Sequence, residues 1–189
     1  MEFEVIRSNR KSIAIEIKAS KLIIRAPMQA TNEEINSCML QNKAWIEKHL
    51  MRAQAQEQTA ASIKKLTADE IRQLAKQALE VIPARVQHYA SLIGVTYGRI
   101  TIRNQRSKWG SCSSKGNLNF NCMLMLAPPE VIDSVIVHEL CHRIEMNHSD
   151  HFYAEVLKVF PAYWQWDNWL KDNGQILMAL MPEKIDKRK

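Results

Sequence analysis

Between Ser12 and Lys18 apolar and polar residues alternate at period two, with Ile13, Ile15 and Ile17 separated by Ala14 and Glu16. With similar runs at 3–7 and 21–26, this pattern predicts three short strands forming a small antiparallel sheet. The period then lengthens. Thr31 stands three residues before Glu34, the spacing of a capping box, and Ile35, Met39, Ile46 and Leu50 follow on one stripe. A helix is expected from 32 to the mid-50s. The stretch AQAQEQTAAS has no apolar stripe and reads as an exposed continuation of that helix or as a linker, so the domain boundary falls there. Thr67 and Glu70 repeat the capping spacing ahead of Ile71, Leu74, Ala78, Ile82, Val86 and Ile93. This predicts a second long helix running to Gly94, kinked near Pro83.

Strand character returns at VTYGRITIR and, after the polar turn SSKG, at NLNFNCML. Pro128 and Pro129 precede Glu130, which opens a helix whose core face is Ile132, Ile136, Leu140 and Ile144. Two further helices are expected over 150–159 and 162–172, the second ended by Asn173 and Gly174.

A chain of 189 residues, 46% apolar and 24% charged, can bury one core and a small second module, which sets disorder aside as the default. No apolar run approaches the ~20 residues needed to cross a bilayer. The opening MEFEVIRSNR lacks the basic start and apolar stretch of a secretory signal, so a cytoplasmic location is expected. Cys38, Cys112, Cys122 and Cys141 have no CxxC spacing and read as reduced, with Cys112–Cys122 the one pair worth testing as a disulfide. The net charge of +6 is unevenly spread: from Val95 to Pro129 there is no Asp or Glu, while Arg99, Arg103, Arg106, Lys108 and Lys115 supply +5. That stretch is either a solvated basic strand pair or an anion-binding surface.

The helix predicted from Glu130 carries His138, Glu139 and His142, an HExxH arrangement. Residues four apart lie about 40° apart around a helix axis and one turn along it, so both imidazoles can meet one metal ion. Glu139 projects about 100° from His138, where its carboxylate can act on a water as general base without becoming a ligand. His148 adds a third imidazole. On an unbroken helix it would stand about 15 Å along the axis from His138, so the helix must break; Met146 and Asn147 are where this is expected, since Asn tolerates the left-handed conformation. Three imidazoles with a fourth position left for water are the catalytic form of zinc, though imidazole also binds other divalent metals. The competing reading leaves His138 and His142 on the polar side of an amphipathic helix and His148 in an ordinary turn. His151 reads as a helix-face residue or a spare ligand, and Glu145 as a group that orients an imidazole or faces solvent. Glu155 is the acid to test should the third ligand be a carboxylate.

From Arg106 to Gly174 the chain resembles the YgjP-like metal-dependent hydrolases and, more distantly, the SprT-like zinc metallopeptidases. The resemblance rests on WGSC at Trp109–Cys112, HELCH, NHS-x-x-F from Asn147 to Phe152, and WLK before Asn173; RAP at Arg25–Pro27 extends it towards the N-terminus. Tyr153 departs from the family pattern, which has Trp after Phe152. The resemblance implies an α+β fold with a zincin-like core: an HExxH helix beside a small antiparallel sheet, preceded by an N-terminal sheet and long helices. It implies an N-terminal part over 1–60, a zincin-like hydrolase domain over 61–175 and a basic tail over 176–189. It also implies His138, His142 and His148 as metal ligands and Glu139 as the catalytic acid/base. In zincin folds the strand bordering the active-site helix offers its edge to an extended peptide. Here that strand is NLNFNCML, which makes Asn119 and Asn121 candidates for substrate binding.

Three functions compete. The first is a zinc-dependent peptidase acting on a peptide or protein. The second uses the metal on the phosphoanhydride of an anionic nucleotide gripped by Arg103, Arg106, Lys108 and Lys115, although no GxxxxGK[ST] loop is present. The third, least favoured, is a nucleic-acid-associated module with structural zinc. No membrane partner is expected.

Overall fold

In the computed structural model, which describes residues 3–18 and 20–182, the N-terminal strands are β1 (Phe3–Ser8), β2 (Ala14–Lys18) and β3 (Lys21–Pro27). Ser20, at φ 54°, sits in the short turn that folds β3 back on β2 as an antiparallel pair, with Ile15 opposite Ile24. β1 docks on the other edge of β3, in parallel, with Val5 opposite Ile24. The sheet is therefore mixed rather than antiparallel, a distinction that a period-two pattern does not carry. Leu22, Ile24 and Ala26 on β3 are buried with Ile35 and Ile46.

The expected single helix is two, α1 (Asn32–Gln41) and α2 (Lys43–Ser62). Thr31 caps α1 through the reciprocal box, its Oγ accepting from Glu34 N at 3.2 Å while Glu34 Oε2 accepts from Thr31 N at 2.7 Å. The break falls at Asn42, whose Nδ2 donates to Cys38 O at 2.8 Å and competes for the helix's own acceptor. The AQAQEQTAAS stretch is the helical continuation. By internal contacts the chain divides into Met1–Ile63 and Lys64–Lys189.

In the second unit α3 (Ala68–Ile93) starts at the Thr67–Glu70 capping box, continues as helix through Pro83 and ends at Gly94, which takes the left-handed φ of 78°. Its buried stripe is Leu74, Ala78, Ile82, Val86 and Ala90. The second sheet contains β4 (Ile100–Arg103), β5 (Gly110–Cys112) and β6 (Leu118–Asn121) in the order β4-β6-β5, with β6 parallel to β4 and antiparallel to β5. It too is mixed. The last three residues of WGSC supply strand β5. NLNFNCML stops being a strand at Asn121, whose side chain accepts from Met123 N at 3.1 Å and caps a 3-10 turn over Cys122–Leu126. Because β6 is central, both its edges are occupied, and the expectation that it offers one to a peptide fails. The edge strands are β4 and β5, and β5 is the one whose Gly110 touches Glu139.

α4 (Pro129–Cys141) is buried on nearly every side, from Val131 and Ile132 to Leu140 and Cys141. α5 (Asp150–Val159) is capped by Ser149, whose Oγ accepts from Phe152 N at 3.3 Å. α6 (Tyr163–Ala179) does not stop at Asn173 and Gly174. Gly174 lies against Trp109, so close that a Cβ would meet its Cζ2 at 3.2 Å; this glycine serves close packing, not a helix end. Of the residues expected to begin a tail, 176–179 continue α6, Met181 is buried and Leu180 O accepts from Leu66 N at 2.7 Å. The EKIDKRK stretch lies outside the described residues.

Candidate metal centre

α4 places His138 and Glu139 in its last turn and His142 at its C-cap. The helix ends earlier than expected. Arg143 N and Ile144 N turn back to Leu140 O and Cys141 O, each at 2.9 Å. The Arg143 guanidinium anchors the departing chain, donating to Thr96 O at 3.0 Å and Ser114 O at 3.1 Å. Asn147 is not left-handed, and Ile144, placed in the core stripe by periodicity, is exposed. The early break lets the next segment fold back and bring His148 to α4.

The ligand nitrogens of His138, His142 and His148 all lie within 4.8 Å of one another, and the Nε2 atoms of His138 and His148 are 3.0 Å apart. Tetrahedral ligands at about 2.0–2.1 Å from a zinc ion stand roughly 3.3 Å from each other, so the donor set fits such an ion. The rings are held from behind. His138 Nδ1 meets Tyr163 Oη at 2.8 Å, and His142 Nδ1 donates to Glu145 O at 3.1 Å. Phe152, fully buried, forms the apolar floor, its ring centroid 4.9, 4.6 and 5.0 Å from those of His138, His142 and His148. Glu145 thus does orient an imidazole, through its backbone carbonyl. His151 is exposed on α5, and Glu155 pairs with Lys158 at 3.8 Å; neither joins the cluster.

Burial favours the neutral form of His138 and His142. His138 is held down to about 3, by desolvation first and then by the neighbouring His142 and His148, and His142 is lowered chiefly by desolvation. Neutral imidazole is the form that ligates a metal. Glu139, 7% exposed, is pushed up to about 7 by burial, against the opposing pull of the Lys108 ammonium and a hydrogen bond from the Cys112 backbone N–H. Its carboxylate packs on β5 at Gly110, where a Cβ would stand 2.6 Å from Oε1.

Two cavities open beside Glu139. One, of about 290 Å³, is walled by Trp109, Val135, Tyr163 and Leu170 and includes Asp167. The other, of about 300 Å³, lies along Gly110, Ser111 and Cys112 towards Met146 and His148. Of the basic candidates, Lys108 lines both cavities; Arg103 and Arg106 line neither, and Arg106 donates to Pro182 O. Asn119 donates to Ser111 Oγ at 3.2 Å. Asn121 is fully buried, and its Nδ2 clamps the carbonyls of Gln105 and Lys108 at 2.5 and 3.0 Å. Cys112 and Cys122 are both free thiols.

Sequence reasoning missed Tyr163 and Gly110. Tyr163 stands 25 residues from the histidine it touches, inside an aromatic cluster with no spacing signal. Gly110 was visible only as part of WGSC.

An HExxH helix closed by a third histidine and set beside a short sheet is the architecture of a metallopeptidase domain, and comparison with known proteins agrees. The model of the YgjP-like family, metallopeptidase domain, matches residues 62–173, and the chain belongs to that family. Among solved structures, the metallopeptidase zymogen of Pyrococcus abyssi abylysin is 22% identical, with a TM-score of 0.44 over 48% of this chain and 93% of that one. The zymogen of Methanocaldococcus jannaschii jannalysin is 21% identical, with a TM-score of 0.44 over 49% of this chain and 95% of that one. No curated protein matches the chain.

Proposed function

We propose that this protein is a zinc peptidase in which His138, His142 and His148 hold the metal and Glu139 is the catalytic acid/base. The observation that carries the reading is the convergence of three imidazoles next to a buried carboxyl group whose proton affinity is raised by burial. Zinc, when bound, supplies a Lewis acid that polarises the scissile carbonyl and makes a water more acidic. Glu139 takes the proton from the attacking water and delivers it to the leaving amine. Burial raises the carboxyl's affinity for that proton, and the packing against Gly110 holds the carboxylate in place.

β5 supports a peptide as the substrate. Asn121 N donates to Trp109 O and Ser113 N to Asn117 O, so residues 109, 111 and 113 turn their backbone groups towards β6. In an antiparallel ladder the groups of Gly110 and Cys112 then face the other way, alongside Glu139. An extended peptide laid on that edge is held by the main-chain groups of Gly110 and the carbonyl of Cys112, whose N–H is donated to Glu139, with the cavities on either side receiving its side chains. A nucleotide substrate would require several cations at the cleft, and of the four considered Lys108 alone lines it.

The test is metal analysis combined with cleavage of an unfolded protein and of a nucleotide panel. Zinc near one per chain with peptide cleavage supports the proposal. Turnover of nucleotides alone overturns it.

A further inference from the structure

We infer that the Tyr163 hydroxyl is the acceptor that fixes His138 in its metal-binding tautomer, making Tyr163 a positioning residue of the centre. This rests on His138 being a ligand, as proposed above. An imidazole ligates through Nε2 when the proton resides on Nδ1, and that proton needs an acceptor. For His142 the acceptor is Glu145 O, a carbonyl that only accepts and so locks the tautomer. For His138 the atom facing Nδ1 is Tyr163 Oη at 2.8 Å. The tyrosine is held firmly in place, 4% exposed, packed with Val137, Cys141, Phe152 and Val156, its ring inclined 19° to that of His138.

A phenol differs from a carbonyl or a carboxylate in two ways. It adds no negative charge to the site, so the centre gains no Coulombic help from this partner. It can also donate, so the pair remains hydrogen-bonded whichever nitrogen of His138 carries the proton. With a cation on Nε2 the His138 proton would sit on Nδ1, where Tyr163 Oη at 2.8 Å would accept it.

The test compares native protein and Tyr163→Phe by competitive zinc titration and by ¹⁵N NMR of the histidine side chains, with and without zinc. A loss of zinc affinity of about 10- to 100-fold is expected, together with an exchange-protected His138 Nδ1–H in the loaded native protein that becomes rapidly exchanging in the variant. Equal affinity with an unchanged Nδ1–H signal overturns the inference while leaving the ligand assignment intact. Failure of the native protein to bind zinc overturns both. If the variant does not fold, the loaded native spectrum decides: a His138 ring metallated at Nδ1, or lacking a protected Nδ1–H, refutes the role.

Discussion

The backbone of Gly110 lies directly against the carboxylate of Glu139, leaving no room for even a methyl group: a Cβ there would meet Oε1 at 2.6 Å and Cγ at 2.7 Å. Glycine is required at this point of β5 by the acid it touches rather than by its own backbone dihedrals.

Gly110→Ala should therefore push Glu139 out of position while sparing the imidazoles. A displacement of this kind costs roughly 10²-fold in turnover, and zinc content should stay at the native level. Peptide-cleavage kinetics and metal analysis on the same preparation check it; an Ala variant with native kcat would show that the carboxylate has slack.

Glu139→Gln should abolish turnover and, in the metal-free protein, raise stability in a pH-dependent way. Burial lifts the carboxyl from its ordinary 4.5 to about 7. Between those values the folded protein keeps a proton that the unfolded chain has released, so native stability falls as pH rises through the window. The Gln variant lacks this penalty. Its advantage in melting temperature should be near zero at pH 4.5 and complete above pH 7, where the gap amounts to roughly 3 kcal/mol. Protonation of His138 below pH 6.5 opposes folding in both proteins and cancels in the comparison. An advantage that shrinks with rising pH would contradict the sign.

Removing zinc with a chelator should abolish activity and lower the melting temperature while leaving most of the helical circular dichroism. The main core, built on α3, β6 and α4 from residues such as Ile82, Phe120 and Ile136, is complete without the histidines. Collapse of the helical signal on chelation would instead mark the metal as a folding element.

Asn121→Ala should behave as a structural lesion. Its Nδ2 secures two carbonyls of the loop that carries Lys108, and its Oδ1 caps the 3-10 turn. Losing those bonds in a buried setting costs about 1–3 kcal/mol. Thermal unfolding should register the loss while KM for peptide changes little; the reverse pattern would restore Asn121 as a substrate contact.

How much of this was legible beforehand divides along physical lines. Local signals read well: Thr31 with Glu34 and Thr67 with Glu70 did cap helices, Gly94 did end one, and His138, Glu139, His142 and His148 stand together. What depends on distant partners did not read. Strand direction follows from where β1 and β4 dock, which their own residues do not encode. Gly174 looked like a stop signal because its true reason, the ring of Trp109, lies far away in sequence. The helix carrying the histidines ended early because Arg143 reaches carbonyls at Thr96 and Ser114, ties that no periodicity reveals.

At the seam where α6 finishes, Leu66 N meets Leu180 O at 2.7 Å and Lys65 Nζ meets Ala179 O at 2.7 Å. The chain enters and leaves this unit at one doorway. Side-by-side ends are the geometry that lets a domain accept relocated termini or insertion into a host loop, and the bonds at Leu66 and Lys65 set the two described ends of this unit in that relation.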